Sequence, residues 1–491
     1  MRYGFVLDQD ACIGCHACTV ACKAENDVPL GAFRTWVKWV EHGAFPDTQR
    51  SAAVLRCNHC ADAPCIDICP TGALFRRDNG IVDLDQSRCI GCASCLQACP
   101  YDAIYIDDRH GTAAKCHFCA HRLEVGLAPA CVAVCPEQAI KVIDADDPAT
   151  RRELGERAAL VRKPERATQP RTYYLGADLA TLDPLAVDGS RTLSHSEVPD
   201  PMPAPGTLAA RAVYDVPRAR QWGPKIAWYL VTKAIAAGAL LAAAVSPWIP
   251  GLDATILGAV SLLFVSITAV LLILDLHKPG RFWYLLAKPN IGSWLVKGGW
   301  ILMGHGALSV VWVVVAGLWG SGGGAWGFGE GLRVAGGGAL SLWERVGVRA
   351  GPATLLLLLA AASIVVALLT SVYTAFLFRQ ARGRELWCED VTLPWVLSVQ
   401  AATAMVAFLW LFGAAGPVWV LAYAAAMVWA TLWPPRTLQA KRAHHLMVRH
   451  PAFAGGFAAA LGAALFPPLL ALSFLLFDWI YVKAGQEVPL S

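Results

Sequence analysis

The chain has 491 residues, of which 56% are hydrophobic and 16% are charged, and its formal net charge is +4. This length allows several domains, and the apolar share is high for a soluble protein. The small net charge, without a basic stripe interleaved with aromatic residues, excludes the usual pattern of a nucleic-acid-binding protein.

Cysteine is concentrated at the start of the chain, where sixteen of the 17 cysteines form four groups of four. Such a concentration indicates either disulfide bonds or metal. The first cysteine comes at position 12, before a secretory signal peptide would fit, and no twin-arginine pair is present, so we expect metal. The groups are Cys12, Cys15, Cys18 and Cys22; Cys57, Cys60, Cys65 and Cys69; Cys89, Cys92, Cys95 and Cys99; and Cys116, Cys119, Cys131 and Cys135.

The third group, "CIGCASCLQACP", has the spacing C-x2-C-x2-C-x3-C-P, which is typical of bacterial ferredoxins that bind 4Fe–4S clusters. Three closely spaced thiolates reach three corners of one cubane, and the trailing cysteine serves a neighbouring cluster. Structural zinc with four thiolate ligands is the alternative. Zinc sites do not usually carry a further cysteine followed by proline, repeated along a domain, so the spacing predicts 4Fe–4S clusters.

The region from residue 1 to 143 resembles the four-cluster electron-transfer subunits of the complex iron–sulfur molybdoenzymes, such as dimethyl sulfoxide reductase and polysulfide reductase. The resemblance implies an α+β domain of the double bacterial-ferredoxin type with four 4Fe–4S clusters. It also implies four ligand sets that cross between the sequence groups. These sets are Cys12, Cys15, Cys18 and Cys135; Cys22, Cys116, Cys119 and Cys131; Cys57, Cys60, Cys65 and Cys99; and Cys69, Cys89, Cys92 and Cys95.

Residues 144–224 are rich in Pro, Asp, Arg and Ala and show no sustained periodicity. This composition predicts an extended linker between two domains. Within it we expect the stretch "TYYLGADLATLDP", at 172–184, to pack against the cluster domain.

Long apolar runs from residue 225 to 491 predict an all-α bundle of transmembrane helices. Six runs of sufficient length lie at about 226–247, 254–275, 295–318, 353–378, 395–414 and 417–433. A last apolar stretch, 452–482, would be about 46 Å long as one helix, too long for a single span, and it carries Pro467 and Pro468 in its middle. We predict eight helices, with seven as the alternative in which the last stretch is one kinked helix.

The loops on the side of the cluster domain, here named the cluster side, carry most of the basic residues. The positive-inside rule then places the cluster domain in the cytoplasm, next to the inner membrane. The alternative is that the basic loops form a docking surface for that domain. They contain Lys278, Arg281, Lys288, Lys297, Arg379, Arg382, Arg384, Arg436, Lys441, Arg442 and Arg449, against Arg333, Arg345 and Arg349 on the far side.

This half of the chain resembles the NrfD-like, polysulfide-reductase-type membrane anchors. The resemblance is carried by "DLHKPGRFWYLLAKPNIGSWLVKGGWIL", "YTAFLFRQARGRELW" and "VKAGQEVPLS". It implies chemistry on menaquinone or ubiquinone without heme. The residues agree, because a heme between helices commonly takes two histidines and only His305 lies well inside a predicted helix.

Polar and ionisable groups within the predicted spans indicate where a quinone binds. His277 with Asp275 would supply a proton, and Tyr373 or Lys233 would donate a hydrogen bond to a quinone oxygen. Simpler roles stay open: Lys233 snorkels to the surface, Asp275 pairs with Arg281, and the others satisfy helix contacts. The candidate quinone-binding residues are Lys233, Asp275, His277, His305, Tyr373 and Gln400.

These features predict an electron-transfer and membrane-anchor subunit of an oxidoreductase complex. The sequence shows no pterin or substrate site, so substrate chemistry would belong to a large catalytic subunit, expected to carry molybdenum or tungsten bis-pterin. Two alternatives are the same role in a hydrogenase or multiheme cytochrome complex, and an ion-translocating membrane protein whose clusters are regulatory.

Overall fold

A computed structural model describes residues 1–44, 46–184, 187–188, 210–216, 222–320, 352–416, 420–433 and 435–488. An N-terminal α+β part carries the sixteen clustered cysteines, and a helical part begins at Pro224. The far-side arginines at 333, 345 and 349 and the stretch "VPDPMPAPG", at 198–206, lie outside the described residues.

The N-terminal part is built from short strands and short helices. Its strands are β1 (Tyr3–Asp8), β2 (Thr35–Ala44), β3 (Asp47–Arg56), β4 (Leu74–Arg76), β5 (Val82–Leu84), β6 (Ile104–Asp107), β7 (Thr112–Lys115), β8 (Ile140–Asp144), β9 (Thr172–Leu175), β10 (Val187–Asp188) and β11 (Ala210–Tyr214). Its helices are α1 (Ala17–Glu25), α2 (Pro64–Ile68), α3 (Ser94–Ala98), α4 (Ala120–Leu123), α5 (Ala130–Ala133), α6 (Pro148–Glu156) and α7 (Leu179–Leu182).

A residue with left-handed backbone conformation directly precedes the short helix in three of the cysteine-rich segments. His16, Ala93 and Cys119 precede α1, α3 and α4 with φ values of 62°, 56° and 50°. Few side chains accept this conformation, so it marks a backbone that the surrounding structure constrains.

The segment between the two parts of the chain is tied to the cluster domain at two places. Strand β9 pairs in parallel with β1, on the edge opposite to β8. Strand β11 pairs antiparallel with β2, which itself forms a hairpin with β3. The stretch at 172–184 therefore packs against the cluster domain, and the domain bounds at 143 and 224 stay a prediction.

The helical part consists of α8 (Pro224–Val245), α9 (Ala254–Leu274), α10 (Tyr284–Ala287), α11 (Trp294–Gly320), α12 (Pro352–Gln380), α13 (Glu385–Glu389), α14 (Leu393–Leu411), α15 (Val420–Leu432), α16 (Leu438–Arg449), α17 (Pro451–Gly462) and α18 (Leu469–Glu487). Six described helices, α8, α9, α11, α12, α14 and α18, are long and apolar enough to cross a membrane.

The predicted count of eight spans is not confirmed. Helices α15 and α17 are apolar but have 13 and 12 residues, or about 20 and 18 Å, whereas a bilayer core is about 30 Å thick. The last apolar stretch is divided between α17 and α18, which pack against each other. Pro468 caps the start of α18, because proline is tolerated at a helix start and not in its interior.

One hydrophobic cluster joins the two parts of the molecule. It contains seven cysteines, among them Cys69, Cys89 and Cys99, together with side chains from the helical part of the chain. These include Tyr229 of α8, Phe378 of α12 and Tyr481 of α18, with Trp222 from the segment just before α8. The cysteine-rich region therefore packs directly on the cluster side of the helical bundle.

Candidate cluster sites and a buried polar centre among the membrane helices

The structure brings the sixteen cysteines into four sets of four, and all of them are free of disulfide bonds. Set A is Cys12, Cys15, Cys18 and Cys135. Set B is Cys22, Cys116, Cys119 and Cys131. Set C is Cys57, Cys60, Cys65 and Cys99, and set D is Cys69, Cys89, Cys92 and Cys95.

Sets A and B each line a cavity. The four cysteines of set A surround about 340 Å³, and those of set B about 310 Å³, including space open to solvent. Among the described residues, no three His, Cys, Asp or Glu side chains lie close enough to hold a single metal ion. Four thiolates on one zinc would lie only about 3.8 Å apart, given Zn–S bonds of about 2.3 Å, so the cavities fit a larger inorganic group.

Set C is recognised from the electrostatic contacts among its thiols. Burial raises the pKa of Cys65, and the neighbouring thiols of Cys99, Cys57 and Cys60 raise it further. Burial also raises the pKa of Cys60 to about 12, with Cys57 and Cys99 again as neighbours. Cys99, from the third sequence group, therefore lies with three cysteines of the second.

Set D is the complementary arrangement. Burial raises the pKa of Cys92 to about 12, and its thiol neighbours are Cys69 and Cys89. Cys95 interacts with the thiols of the same three residues. Cys69, from the second sequence group, therefore lies with three cysteines of the third.

The four sets form an ordered series. Thiols of set A interact with those of set B, thiols of set B with those of set C, and thiols of set C with those of set D. The pairs are Cys18 with Cys131, Cys116 with Cys57, and Cys95 with Cys65.

Burial makes these thiols unsuited to exist as free anions. It raises the pKa of Cys18 to about 11 and that of Cys22 to about 12. A buried thiolate therefore needs a compensating positive charge, which a bound metal supplies. Backbone N–H groups also point at sulfur: Ala113 N lies 3.4 Å from Cys89 Sγ, and Phe118 N lies 3.4 Å from Cys116 Sγ. Such bonds are the usual means of tuning a metal–thiolate centre.

The loop between α9 and α11 holds set D against the membrane helices. Arg281 donates hydrogen bonds to the carbonyl oxygens of Cys89 at 2.9 Å and Gln86 at 2.8 Å. Asn290 donates to the carbonyl oxygen of Cys69 at 2.8 Å. The backbone N–H of His277 donates to Gly91 O at 3.2 Å, and no other residue type fits there, since a Cβ on Gly91 would lie 2.7 Å from His277 Cβ.

A second basic loop, after α12, also contacts the cluster domain. Arg382 forms an ion pair of 2.9 Å with Asp62, and Arg384 donates to Gln97 Oε1 at 2.9 Å. Together with Arg281, these contacts account for part of the basic charge on the cluster side by docking, which was the alternative to the positive-inside interpretation.

Lys233 and Tyr373, two of the predicted quinone-binding residues, lie next to each other inside the helical bundle. The side chain of Lys233 is 1% exposed, so it does not snorkel to the membrane surface. Its Nζ donates to Ser371 O at 3.0 Å and to the hydroxyl of Thr374, and lies 4.9 Å from the centroid of the Tyr373 ring. The ammonium group thus reaches both a hydroxyl and an aromatic face.

Asp478 is a functional candidate that was not among the quinone-binding residues predicted from the sequence. Gln400 Nε2 donates to Asp478 Oδ1 at 3.1 Å and to the Tyr423 hydroxyl at 3.2 Å. Asp478 also interacts electrostatically with Lys233, while Asp478 Oδ2 and Gln400 Oε1 are buried without a hydrogen-bond partner among the described residues. An acidic residue in the apolar run "LLFDWIYV" was the signal that would have identified it.

His305 is buried at the junction of α9, α11 and α12. Its Nε2 lies 2.9 Å from Ser261 Oγ, and its Nδ1 lies 3.0 Å from Thr370 Oγ1. Both ring nitrogens are therefore engaged with hydroxyl groups. Thr370 is one helical turn from Thr374, so His305 belongs to the same polar region as Lys233.

Asp275 and His277 lie apart from these residues, at the end of α9 beside set D. Arg281 binds the cluster-domain carbonyls described above, and Asp275 instead interacts with Lys225 and His277. Lys233 is nine residues into α8, about 14 Å from its start. The six predicted residues thus form an interfacial pair and a deeper group of four.

Three family models match the chain. A 4Fe-4S binding domain matches residues 3–24, a 4Fe-4S dicluster domain matches 51–145, and the model described as polysulphide reductase, NrfD, matches 215–418. The predicted combination of a ferredoxin-type domain and an NrfD-type membrane domain is confirmed by these matches.

The curated relatives each match about a third of the chain. A tetrathionate reductase subunit of Salmonella typhimurium is 46% identical over 190 residues, which are 38% of this chain and 76% of that protein. The thiosulfate reductase electron transfer subunit PhsB of Salmonella typhi is 45% identical, over 32% of this chain and 83% of its own length. The arsenate respiratory reductase iron-sulfur subunit ArrB of a Shewanella species is 34% identical, over 36% of this chain and 96% of its own length. The chain therefore belongs to the family of reductase iron–sulfur electron-transfer subunits, here fused to an NrfD-type membrane domain.

Proposed function

We propose that this chain carries electrons between a separate catalytic subunit and a membrane quinone, through four 4Fe–4S clusters held by sets A to D. The observation that carries this proposal is the ordered series of thiol sets, whose last member packs against the membrane helices. When bound, each cluster accepts and releases one electron. The residues of this chain hold the clusters in sequence and keep water away from them.

The catalytic partner would dock at the set A end of the series. Cys15 and the neighbouring Ile13 are exposed there, so that end is open to another protein. Three relatives are named as subunits of tetrathionate, thiosulfate and arsenate reductases. We propose a large subunit with molybdenum or tungsten bis-pterin, and the direction of electron flow depends on its potential relative to the quinone.

The quinone would bind on the cluster side of α8 and α12. Reduction of a quinone to a quinol takes two electrons and two protons, and both carbonyl oxygens need hydrogen-bond donors. Lys233 Nζ donates to Ser371 O and Thr374 and keeps one N–H for a quinone oxygen, and Tyr373 supplies a phenol. Asp275 and His277 lie between set D and the bundle, where protons can enter. We assign menaquinone or ubiquinone as the class of substrate, and no heme on this chain.

We further propose that the cluster domain faces the cytoplasm. Arg436, Lys441, Arg442 and Arg449 remain exposed on the cluster side, in addition to the arginines that dock the cluster domain, and this excess follows the positive-inside rule. Labelling of an engineered surface cysteine in intact cells would test it. Protection of the cysteine until the cells are opened supports the assignment, and labelling from outside contradicts it.

The decisive experiment is purification of the intact complex with elemental analysis and quinone assays. We expect about sixteen irons per chain, the number that four cubanes require, and reduction or oxidation of a soluble quinone analogue. Zinc in place of iron would contradict the cluster assignment. Nickel or covalent heme in the co-purified partner would indicate a hydrogenase or a multiheme cytochrome complex instead.

A further inference from the structure

Arg56 is a fully buried cation between two thiol sets. It is the last residue of β3 and its exposed fraction is 0%. Its Nη1 donates to Cys131 Sγ at 3.3 Å, and its Nη2 donates to Thr35 Oγ1 at 3.2 Å. The guanidinium also lies over the ring of Phe5, 4.2 Å from the centroid.

The hydrogen bonds and ion pairs of the described residues give Arg56 no carboxylate partner. A guanidinium stays protonated in proteins, and burying a charge without an opposite charge costs several kcal/mol. The groups near Arg56 that carry negative charge when ionised include the thiols of Cys131, Cys116 and Cys18, while His59 and Tyr174 are further ionisable neighbours. Cys131 and Cys116 belong to set B and Cys18 to set A, so negative charge at these sets would compensate the cation.

We propose that Arg56 is the shared counter-charge of sets A and B, and that it raises the reduction potentials of the clusters bound there. This inference rests on the proposed cluster assignment. A 4Fe–4S core with four thiolates carries a net charge of −2 when oxidised and −3 after gaining one electron. A permanent positive charge in a low-dielectric interior stabilises the more negative state, and no proton leaves Arg56 in the step.

The position of Arg56 predicts that its effect on the reduction potential differs from one set to another. Arg56 donates to Cys131 of set B and interacts electrostatically with Cys18 of set A, whereas set D lies at the membrane helices next to Arg281. The cation should therefore raise the reduction potentials of the clusters at sets A and B, and should change the potential at set D less. A purely structural arginine would show no such preference among the sets.

Redox titration of the purified full complex, followed by electron paramagnetic resonance, tests the proposal. Signals are attributed to sets with Cys15→Ser for set A and Cys119→Ser for set B. With Arg56→Met we expect the reduction equilibrium constant at these two sets to fall about tenfold or more, which is about 59 mV for one electron. With Arg56→Lys the charge remains but the planar donation to Cys131 and Thr35 is lost, so we expect a smaller fall at the same two sets.

The matched control is Arg50→Met, on the same strand. Arg50 pairs with Glu41 at 2.8 Å and its side chain is 64% exposed, so its removal should leave all four potentials unchanged. Sixteen irons with unaltered potentials in both Arg56 variants would overturn the inference, and so would an equal shift at all four sets. If the Arg56→Met complex contains fewer than sixteen irons, the reduction potentials of the Arg56→Lys complex are compared with those of the wild type by the same criteria. A wild-type complex without sixteen irons would instead contradict the proposed function itself.

Discussion

The side-chain amide of Gln400 donates a hydrogen bond of 3.1 Å to the carboxylate of Asp478. The two residues lie on α14 and α18, and both are buried. Asp478 also interacts with Lys233 of α8. A polar centre thus links α8 with α14 and α18, in a region where polar groups are costly and commonly functional.

The first prediction concerns the coupling of Lys233 and Asp478. Replacing Lys233 by Met leaves the buried Asp478 without the cation with which it interacts, and an uncompensated buried charge is destabilising. The double variant K233M/D478N should recover part of the lost stability. Thermal unfolding of the four proteins in detergent gives the coupling, which we expect to exceed about 1 kcal/mol, and strictly additive effects would show that the two residues act independently.

The second prediction separates quinone chemistry from cluster assembly. Because Lys233 is proposed to donate to a quinone oxygen, Lys233→Arg should lower quinone-analogue turnover about tenfold or more while the iron content stays at the wild-type value. Reduction of a soluble viologen dye by the complex should be unaffected. Lys297→Arg is the control, since Lys297 lies over the Trp294 ring at 4.7 Å. Unchanged quinone turnover in the Lys233 variant would remove this residue from the site.

The third prediction tests the clamp on set D. Arg281→Ala removes two hydrogen bonds from a charged donor, each worth about 1.5–3 kcal/mol. We expect slower re-oxidation of the reduced clusters by a quinone analogue in stopped-flow measurements, with full iron content. Lys288→Ala is the control because Lys288 lies over the Tyr284 ring, 5.0 Å away. Equal rates in the two variants would show that the clamp does not position set D for transfer.

The fourth prediction concerns the crossed ligand sets. Cys12→Ser and Cys135→Ser should change the same electron paramagnetic resonance signal, although 123 residues separate them, while Cys131→Ser should change a different one. Each variant loses up to about four irons, one cubane. Cys388→Ser should keep all of the irons, because the Cys388 thiol donates a hydrogen bond of 3.4 Å to the carbonyl oxygen of Ala381 and belongs to none of the four sets. Separate signals for Cys12 and Cys135 would contradict set A.

The fifth prediction compares two glycines with positive φ. An alanine at Gly91, φ +69°, would place its Cβ 2.5 Å from Gly111 O, whereas Gly126, φ +77°, has open space around it. The left-handed conformation costs alanine about 1–2 kcal/mol at either position. Gly91→Ala should therefore lower thermal stability more than Gly126→Ala, and should loosen the contact with the loop that carries His277. Equal melting temperatures would contradict the packing of this loop on set D.

Several features were accessible before the fold was known because they depend on local pattern. The C-x2-C-x2-C spacing indicated iron–sulfur clusters, and uninterrupted apolar runs indicated membrane helices. The number of spans was less accessible, because α15 and α17 are short and hydropathy does not reveal how a run is divided. Lys233 and Tyr373 were predicted together and do meet, and Asp275 and His277 lie at the cluster-side end of α9, where the hydropathy pattern put them.

The sequence by itself determined the chemistry available to this protein: sixteen thiols in four groups, one of them with the bacterial ferredoxin spacing, and an apolar second half with few ionisable groups. Ligand type and hydropathy are properties of neighbouring residues, so they can be read along the chain. Only the tertiary structure decided which distant residues meet, such as Arg56 with Cys131, Arg281 with Cys89, and Gln400 with Asp478. Those contacts arise from the packing of separate elements, and a buried charge reveals its partner only when the surrounding residues are in place.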